Sequence, residues 1–242
     1  MVRRGKRVAK AARSQQMYGV RGRSTAQRVT LALLNGCSLA VAWWLLTGGV
    51  VEAGGWMERS WAAGNPVRSV AIGAALTIYF LRVLATVFVF LRRGVSWAEV
   101  FTIAPWVLVL NVVLAAAGGT NAAAPGATAM AGAALFVAGS WVNSFAEYQR
   151  HAWKRREENR GKLYTEGLFR LTRHPNYLGD LTLFTGLSLM TGRWFTGAIP
   201  VVMLCGFVFA NVPALDGHLA EHYGEAFREY ARRTRKLIPF VY

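Results

Sequence analysis

The chain has little acid and almost no cysteine. Twelve Asp and Glu stand against 28 Lys and Arg in 242 residues, a formal charge of +16. Its two cysteines, Cys37 and Cys205, exclude a disulfide scaffold and a zinc cage. Both lie in apolar runs, where they read as small buried residues. GxGxxG, Walker and CxxC motifs are absent, so any nucleotide binds by means other than a Rossmann domain. Charge itself is missing from long stretches. Hydrophobic residues make up 54% of the chain, and the mean hydropathy is +0.28. That apolar content excludes disorder, and the uncharged runs exclude a basic nucleic-acid binder. What remains is a polytopic membrane protein with basic loops.

A membrane-crossing helix needs about 20 apolar residues. Spans are predicted over 31–51, 67–91, 99–118, 126–147, 177–191 and 194–213, the second interrupted by Arg82 and the short fifth by Asp180. The last two are separated only by Thr191-Gly192-Arg193, which predicts a tight helical hairpin. The fold class is therefore all-α: a polytopic membrane bundle of six or seven helices, with a cytoplasmic amphipathic C-terminal helix carrying the stripe Leu215, Leu219, Tyr223, Phe227 and Tyr230. Residues 1–30 form a basic arm, expected to be disordered, with nine Lys or Arg and no acid; a cytoplasmic arm and an organellar transit peptide both fit. Residues 31–242 form a single domain. Arg92 and Arg93, eight cations over 149–175 and five after 214 fall on the same side as that arm. The other side carries Glu52, Glu58, Arg59 and Arg68. The positive-inside rule then puts both termini in the cytoplasm or its organellar equivalent.

Polar groups at membrane depth are costly and call for a reason. Three clusters stand out. Tyr79 and Arg82 share a face of span two, where they could line a polar cavity or simply pack and snorkel. Asn143, Glu147, Arg150 or His151, and Lys154 recur every three or four residues, on one face running from membrane depth into the basic loop. In Arg173-His174-Pro175-Asn176-Tyr177-Leu178-Gly179-Asp180, Pro175 starts a helix whose N-terminus can face an anion beside Arg170 and Arg173. Asn176 and Asp180 are then four apart on one face. His218 and His222 have metal-like spacing but no third ligand in pattern.

The run Gly161 to Phe169 with Arg173 to Asp180, and the ending Tyr223 to Tyr242, resemble the steroid 5-alpha-reductase C-terminal family, in particular its DUF1295 branch. Tyr79-Phe80-Leu81-Arg82 is similar to that family's catalytic tyrosine segment. The resemblance implies a membrane oxidoreductase passing a hydride from NADPH to a carbon–carbon double bond of a lipid or steroid-like substrate drawn from the bilayer. It implies Tyr79 and Arg82 as the catalytic pair. On matching positions the resemblance implies Asn143, Glu147, Arg150 or His151, Lys154, Asn176 and Asp180 as cofactor-binding residues, and Arg170, Arg173, His174 and Tyr223 complete the expected cofactor-binding set. The acid expected beside the tyrosine has no match in span two. Leu215 and Leu219 stand where steroid enzymes carry basic and His residues. The Arg-His-Pro-x-Tyr-x-Gly pattern also resembles the isoprenylcysteine and phospholipid methyltransferases, which use S-adenosylmethionine. A net +5 over 149–175 suits the phosphates of NADPH better. A lipid-binding or assembly protein without chemistry is the third reading.

Overall fold

The computed structural model describes residues 24–56, 62–91 and 93–242. Most of the basic arm, and the Glu58, Arg59 and Arg92 charges used for orientation, lie outside the described residues. Each expected span falls on a helix, to within a residue at its ends. These are α1 (Thr25–Trp56), α2 (Pro66–Phe90), α3 (Trp97–Gly119), α4 (Ala127–Arg155), α5 (Pro175–Thr191) and α6 (Trp194–Tyr223). A short amphipathic helix, α7 (Glu225–Arg233), follows. Five of these, α1 to α4 and α6, are long and apolar enough to cross a membrane. The 17-residue α5 rises about 25 Å, near the lower limit for a span. The fold is a polytopic membrane helical bundle.

Local chemistry sets the helix ends. The Asn65 side chain accepts from the Val67 and Arg68 amides, with Pro66 in the first turn of α2. Ser96 and Glu99 form a reciprocal capping box at the start of α3. Gly192 adopts φ 66° and closes α5, making the tight α5–α6 hairpin. Arg28 reaches across from α1 and donates to the carbonyls of Val87, Leu91 and Arg93 at 2.7, 2.9 and 2.8 Å, pairing acceptors that the end of α2 leaves open.

The bundle core joins α1, α2, α3 and α5 through Leu46, Ile72, Leu76, Leu110, Leu114, Leu183, Phe184 and Leu187. The α4–α5 contact has a different character. Lipid gives helices little hydrophobic reason to associate, so close approach relies on small residues. Gly132 and Gly139 on α4 face Gly186 and Gly179 on α5. A Cβ on Gly132 would sit 2.7 Å from the Gly186 carbonyl oxygen, and one on Gly179 would sit 2.6 Å from the Asn143 nitrogen. These backbones touch, and that contact sets Asn143 against Asn176 and Asp180.

Two expectations need correction. Cys37 and Cys205 are exposed, not buried. In a bundle surrounded by lipid an apolar run covers the outer face as well as the core, so its hydrophobicity does not tell the two faces apart. The stripe from Leu215 to Tyr230 does not belong to one helix. Gly224, at φ 55°, ψ −122°, breaks it. Leu215, Leu219 and Tyr223 remain on α6, while Phe227 and Tyr230 are buried on α7.

Candidate functional site

Two adjoining cavities lie at the basic end of the bundle, the inner one bordered by α1 to α5 and the outer one by α2, α4, α5 and α6. The inner one, about 330 Å³, is lined by Tyr79, Arg82, Asn143, Glu147, Asn176 and Asp180, and by apolar side chains including Leu31, Val83, Val87 and Ile103. The outer one, about 440 Å³, is lined by Arg93, Glu147, Arg150, His151, Lys154, Asn176, His218 and Tyr223, with Phe90, Leu215 and Leu219 among its apolar residues. Both are in the size range of small-molecule sites. They share Thr86, Leu91, Arg93, Glu147, Asn176 and Tyr177, so they are neighbouring chambers of one cleft. Asn143 and Lys154 are eleven residues apart on α4, which places the chambers' ends about 16 Å from each other along the helix.

A chain of polar contacts runs down the shared wall. Arg150 donates to Glu147 Oε2 at 2.6 Å. Asn176 Nδ2 donates to Glu147 Oε1 at 3.2 Å. Asn143 Nδ2 donates to the Asn176 carbonyl at 3.0 Å and to Asp180 Oδ1 at 2.8 Å. Asp180 in turn lies 3.8 Å from Arg82, whose Nε donates to Ser144 Oγ at 2.9 Å. Six of the predicted site residues, from three helices, are thus joined. Asn143 and Glu147 are 8% and 6% exposed, so these groups are pointed inward. Tyr79 meets the Phe184 ring edge-on at 5.1 Å. The carboxylate nearest Arg82 in this wall is Asp180 of α5.

In the outer chamber Lys154 Nζ donates to the Tyr223 hydroxyl at 2.8 Å and to the Lys162 carbonyl at 2.5 Å. His151 packs against Phe90, and its Nδ1 is buried without a hydrogen-bond partner among the described residues. An unmet polar atom in a cavity wall has a place for a ligand group. Cations and an unmet imidazole nitrogen around one chamber fit a phosphorylated cofactor by their chemistry.

Three predicted residues stand apart from both linings. Arg170 is exposed on the surface. Arg173 donates to the Ala231 and Thr234 carbonyls, both at 3.0 Å, and to Asp216 at 2.8 Å. His174 is 1% exposed and shares Asp216 at 2.9 Å. Both side chains turn toward α6 and the segment after α7, so they fasten those elements to the start of α5. Tyr230 reinforces the join by donating to the Phe169 carbonyl at 2.6 Å. Burial pushes its phenol well above the usual range, so it stays a donor.

Other lining residues escaped sequence reasoning. Arg93 borders both chambers and is held by Glu99 at 2.5 Å. The Ser96-x-x-Glu99 capping pattern was the available signal for that acid. Tyr177 borders both chambers too. It stacks on Phe207 at 4.7 Å and on His174 at 5.4 Å, so it links the cleft to the buried Asp216 cluster. The Arg-His-Pro-x-Tyr-x-Gly pattern contains it, but spacing alone gave it no role at the site.

Comparison with known proteins gives partial matches. The chain is 32% identical over 91 residues to protein-S-isoprenylcysteine O-methyltransferase B of Arabidopsis thaliana, covering 38% of this chain and 46% of that protein. It is 38% identical over 84 residues to the probable O-methyltransferase ustE of Ustilaginoidea virens, covering 34% and 29%. It is 30% identical over 119 residues to steroid 5-alpha-reductase DET2 of Gossypium hirsutum, covering 47% and 42%. The chain spans less than half the length of each of these relatives. Residues 60–234, well over half of the chain, match the family described as protein of unknown function (DUF1295), and the chain belongs to that family.

Proposed function

We propose that this chain is a membrane-embedded enzyme that uses NADPH to reduce a carbon–carbon double bond in a lipid or steroid-like substrate. The observation that carries the reading is the polar chain from Arg150 to Arg82, which joins a basic chamber to an apolar one. A molecule with a phosphorylated end and a reactive end fits such a pair, and an apolar substrate fits the inner half. NADPH when bound supplies the hydride. On this reading Arg93, Arg150 and Lys154 hold the phosphates, and His151 Nδ1 gains the partner it lacks. Asn143, Glu147, Asn176 and Asp180 orient the reactive end. Tyr79 and Arg82 face the substrate, and the Tyr79 hydroxyl offers the proton that accompanies the hydride across the double bond. The apolar lining keeps water from these groups and strengthens their dipoles. Arg173 and His174 act on this site through α6, not by touching the cofactor.

A second reading is a methyltransferase using S-adenosylmethionine. It is favoured by the relatives named methyltransferases, which include matches of 32% and 38% identity. Calorimetric titration of the purified chain with NADPH, NADH and S-adenosylmethionine separates the two. Tightest binding of NADPH, weakened by salt, supports the reductase. Binding of the methyl donor alone supports the methyltransferase. Binding of none supports a non-enzymatic lipid-binding role.

A further inference from the structure

A further cavity, about 570 Å³ and larger than either chamber, lies at the opposite end of the bundle. Its walls are apolar, with Val50, Val112, Val113, Ala116 and Phe195, and its polar residues are Thr120 and Arg193. Thr120 caps α3, and Arg193 stands in the three-residue turn between α5 and α6, so the polar end lies at the membrane surface. Val112 is eight residues before Thr120, which carries the apolar wall about 12 Å inward. Trp194, 92% exposed beside Arg193, has the place of an interfacial aromatic. Arg193 Nη2 donates to the Thr120 carbonyl at 2.8 Å, which holds the guanidinium over the groove. A guanidinium has five N–H donors, so most of the fork remains for another acceptor. Arg68 and Arg193 are the described cations on this side, and their charges lie close enough to repel each other. Arg68 is buried and spent on the Met190, Ala123 and Ala124 carbonyls. Neither guanidinium forms an ion pair among the described residues. Glu52, the described acid on this side, accepts from Trp44 instead.

We propose that this groove binds an anionic glycerophospholipid of the leaflet opposite the chambers, with its phosphate on Arg193 and an acyl chain along α3. The guanidinium fork matches two phosphate oxygens. A phospholipid carries that phosphate at headgroup height and a chain reaching inward, the order in which the groove presents its cation and its apolar walls. The head is anionic overall because two neighbouring cations without an acid partner favour net negative charge over a zwitterion. Cations are otherwise scarce on this side, and the bound lipid gives Arg193 a counter-charge. It also bridges α3 to the α5–α6 turn. The groove shares no residue with either chamber, so the proposal stands or falls apart from the reductase reading.

The test uses the full chain in uncharged detergent micelles, titrated with phosphatidylglycerol, phosphatidylcholine and diacylglycerol of the same chains, with palmitate and with glycerol 3-phosphate. The unfolding midpoint is read at each concentration. Phosphatidylglycerol should bind saturably and about tenfold or more tightly than diacylglycerol, the order expected for a hydrogen bond between charged groups, and phosphatidylcholine should bind more weakly than phosphatidylglycerol. Arg193→Gln should bring the ratio of phosphatidylglycerol to diacylglycerol to about one. Arg193→Lys, which keeps the charge without the fork, should reduce it severalfold. Arg228→Gln, which removes an exposed charge from α7, should preserve it. Ala116→Trp, which fills the groove, should weaken both lipids together. The ratio is read within each variant, so a general change in stability cancels. If Arg193→Gln does not fold, the wild-type ratio and the Lys variant still decide. Equal binding of phosphatidylglycerol and diacylglycerol in the wild type, or a ratio that survives at Arg193→Gln or Arg193→Lys, overturns the anchor. Glycerol 3-phosphate as effective as the lipid, or lipid binding unchanged at Ala116→Trp, overturns the groove as the seat of a chain. Tighter binding of palmitate overturns the phospholipid assignment, and equal or tighter binding of phosphatidylcholine overturns the anionic head.

Discussion

Gly179→Ala attacks the contact on which the site geometry rests. The new methyl carbon would lie 2.6 Å from the Asn143 nitrogen, 2.7 Å from its Cβ and 2.8 Å from the Gly139 carbonyl oxygen. The obstruction is chiefly backbone, which rotamer changes do not relieve, so α4 and α5 must part by about 1 Å to restore ordinary van der Waals distances. That movement stretches the Asn143 bonds to Asp180 and to the Asn176 carbonyl, now 2.8 and 3.0 Å, beyond hydrogen-bonding range. Overpacking costs about 1–3 kcal/mol, and two lost hydrogen bonds add roughly 0.5–1.5 kcal/mol each. A total of about 2–6 kcal/mol corresponds to a midpoint lower by roughly 4–24 °C for a chain of this size. Tryptophan-fluorescence melting in detergent, with and without NADPH, reads both stability and binding. Gly206→Ala is the control, since nothing lies within 4 Å of a Cβ there. If Gly179→Ala melts with the control and binds ligand like it, the helices are not in contact as described.

Three further outcomes are expected. Asp216→Ala leaves Arg173, 7% exposed, without its carboxylate, which should cost about 3–5 kcal/mol and speed proteolysis of residues 225–242. Unchanged cleavage would show that the Asp216 cluster does not hold that segment. Arg150→Ala and Lys154→Ala should each weaken NADPH binding about tenfold and flatten its salt dependence, with a smaller effect on S-adenosylmethionine; equal losses for both ligands would detach these cations from phosphate binding. Cys37 and Cys205, exposed on helices, should react in bilayers with a lipid-soluble maleimide and hardly with a charged one. Protection from both reagents would place them inside the protein.

Much of the bundle was legible because lipid imposes a long, uniform signal. Apolar runs marked α1 to α6, and the turn at Gly192 followed from the three residues left between the last two of these. The signal stopped where the chain left the hydrocarbon. The polar face from Asn143 to Lys154 revealed that α4 continues to Arg155, because helical periodicity persists without hydrophobicity. The breaks at Gly48, with φ 128°, and at Gly224 carried no such mark, since glycine is common in membrane helices that stay straight. Side chains on one helix face were legible by spacing. Partners across helices were not. Arg173 and Asp216 are 43 residues apart and Arg82 and Asp180 nearly a hundred, and only the packing of α5 against its neighbours brings them together. Arg173 reads as a loop cation in sequence for that reason, and as a buried brace in the fold. The cysteines failed as a guide because both faces of a membrane helix are apolar.

The central claim is that the two chambers hold one cofactor and one substrate in line. An experimental structure of the chain with NADPH bound tests it most directly. The phosphates are expected beside Arg150 and Lys154 and the nicotinamide between Asn143 and Asp180, facing Tyr79. A cofactor seated at the surface near Arg170, or confined to the outer chamber with its nicotinamide turned away from Asp180, would contradict it.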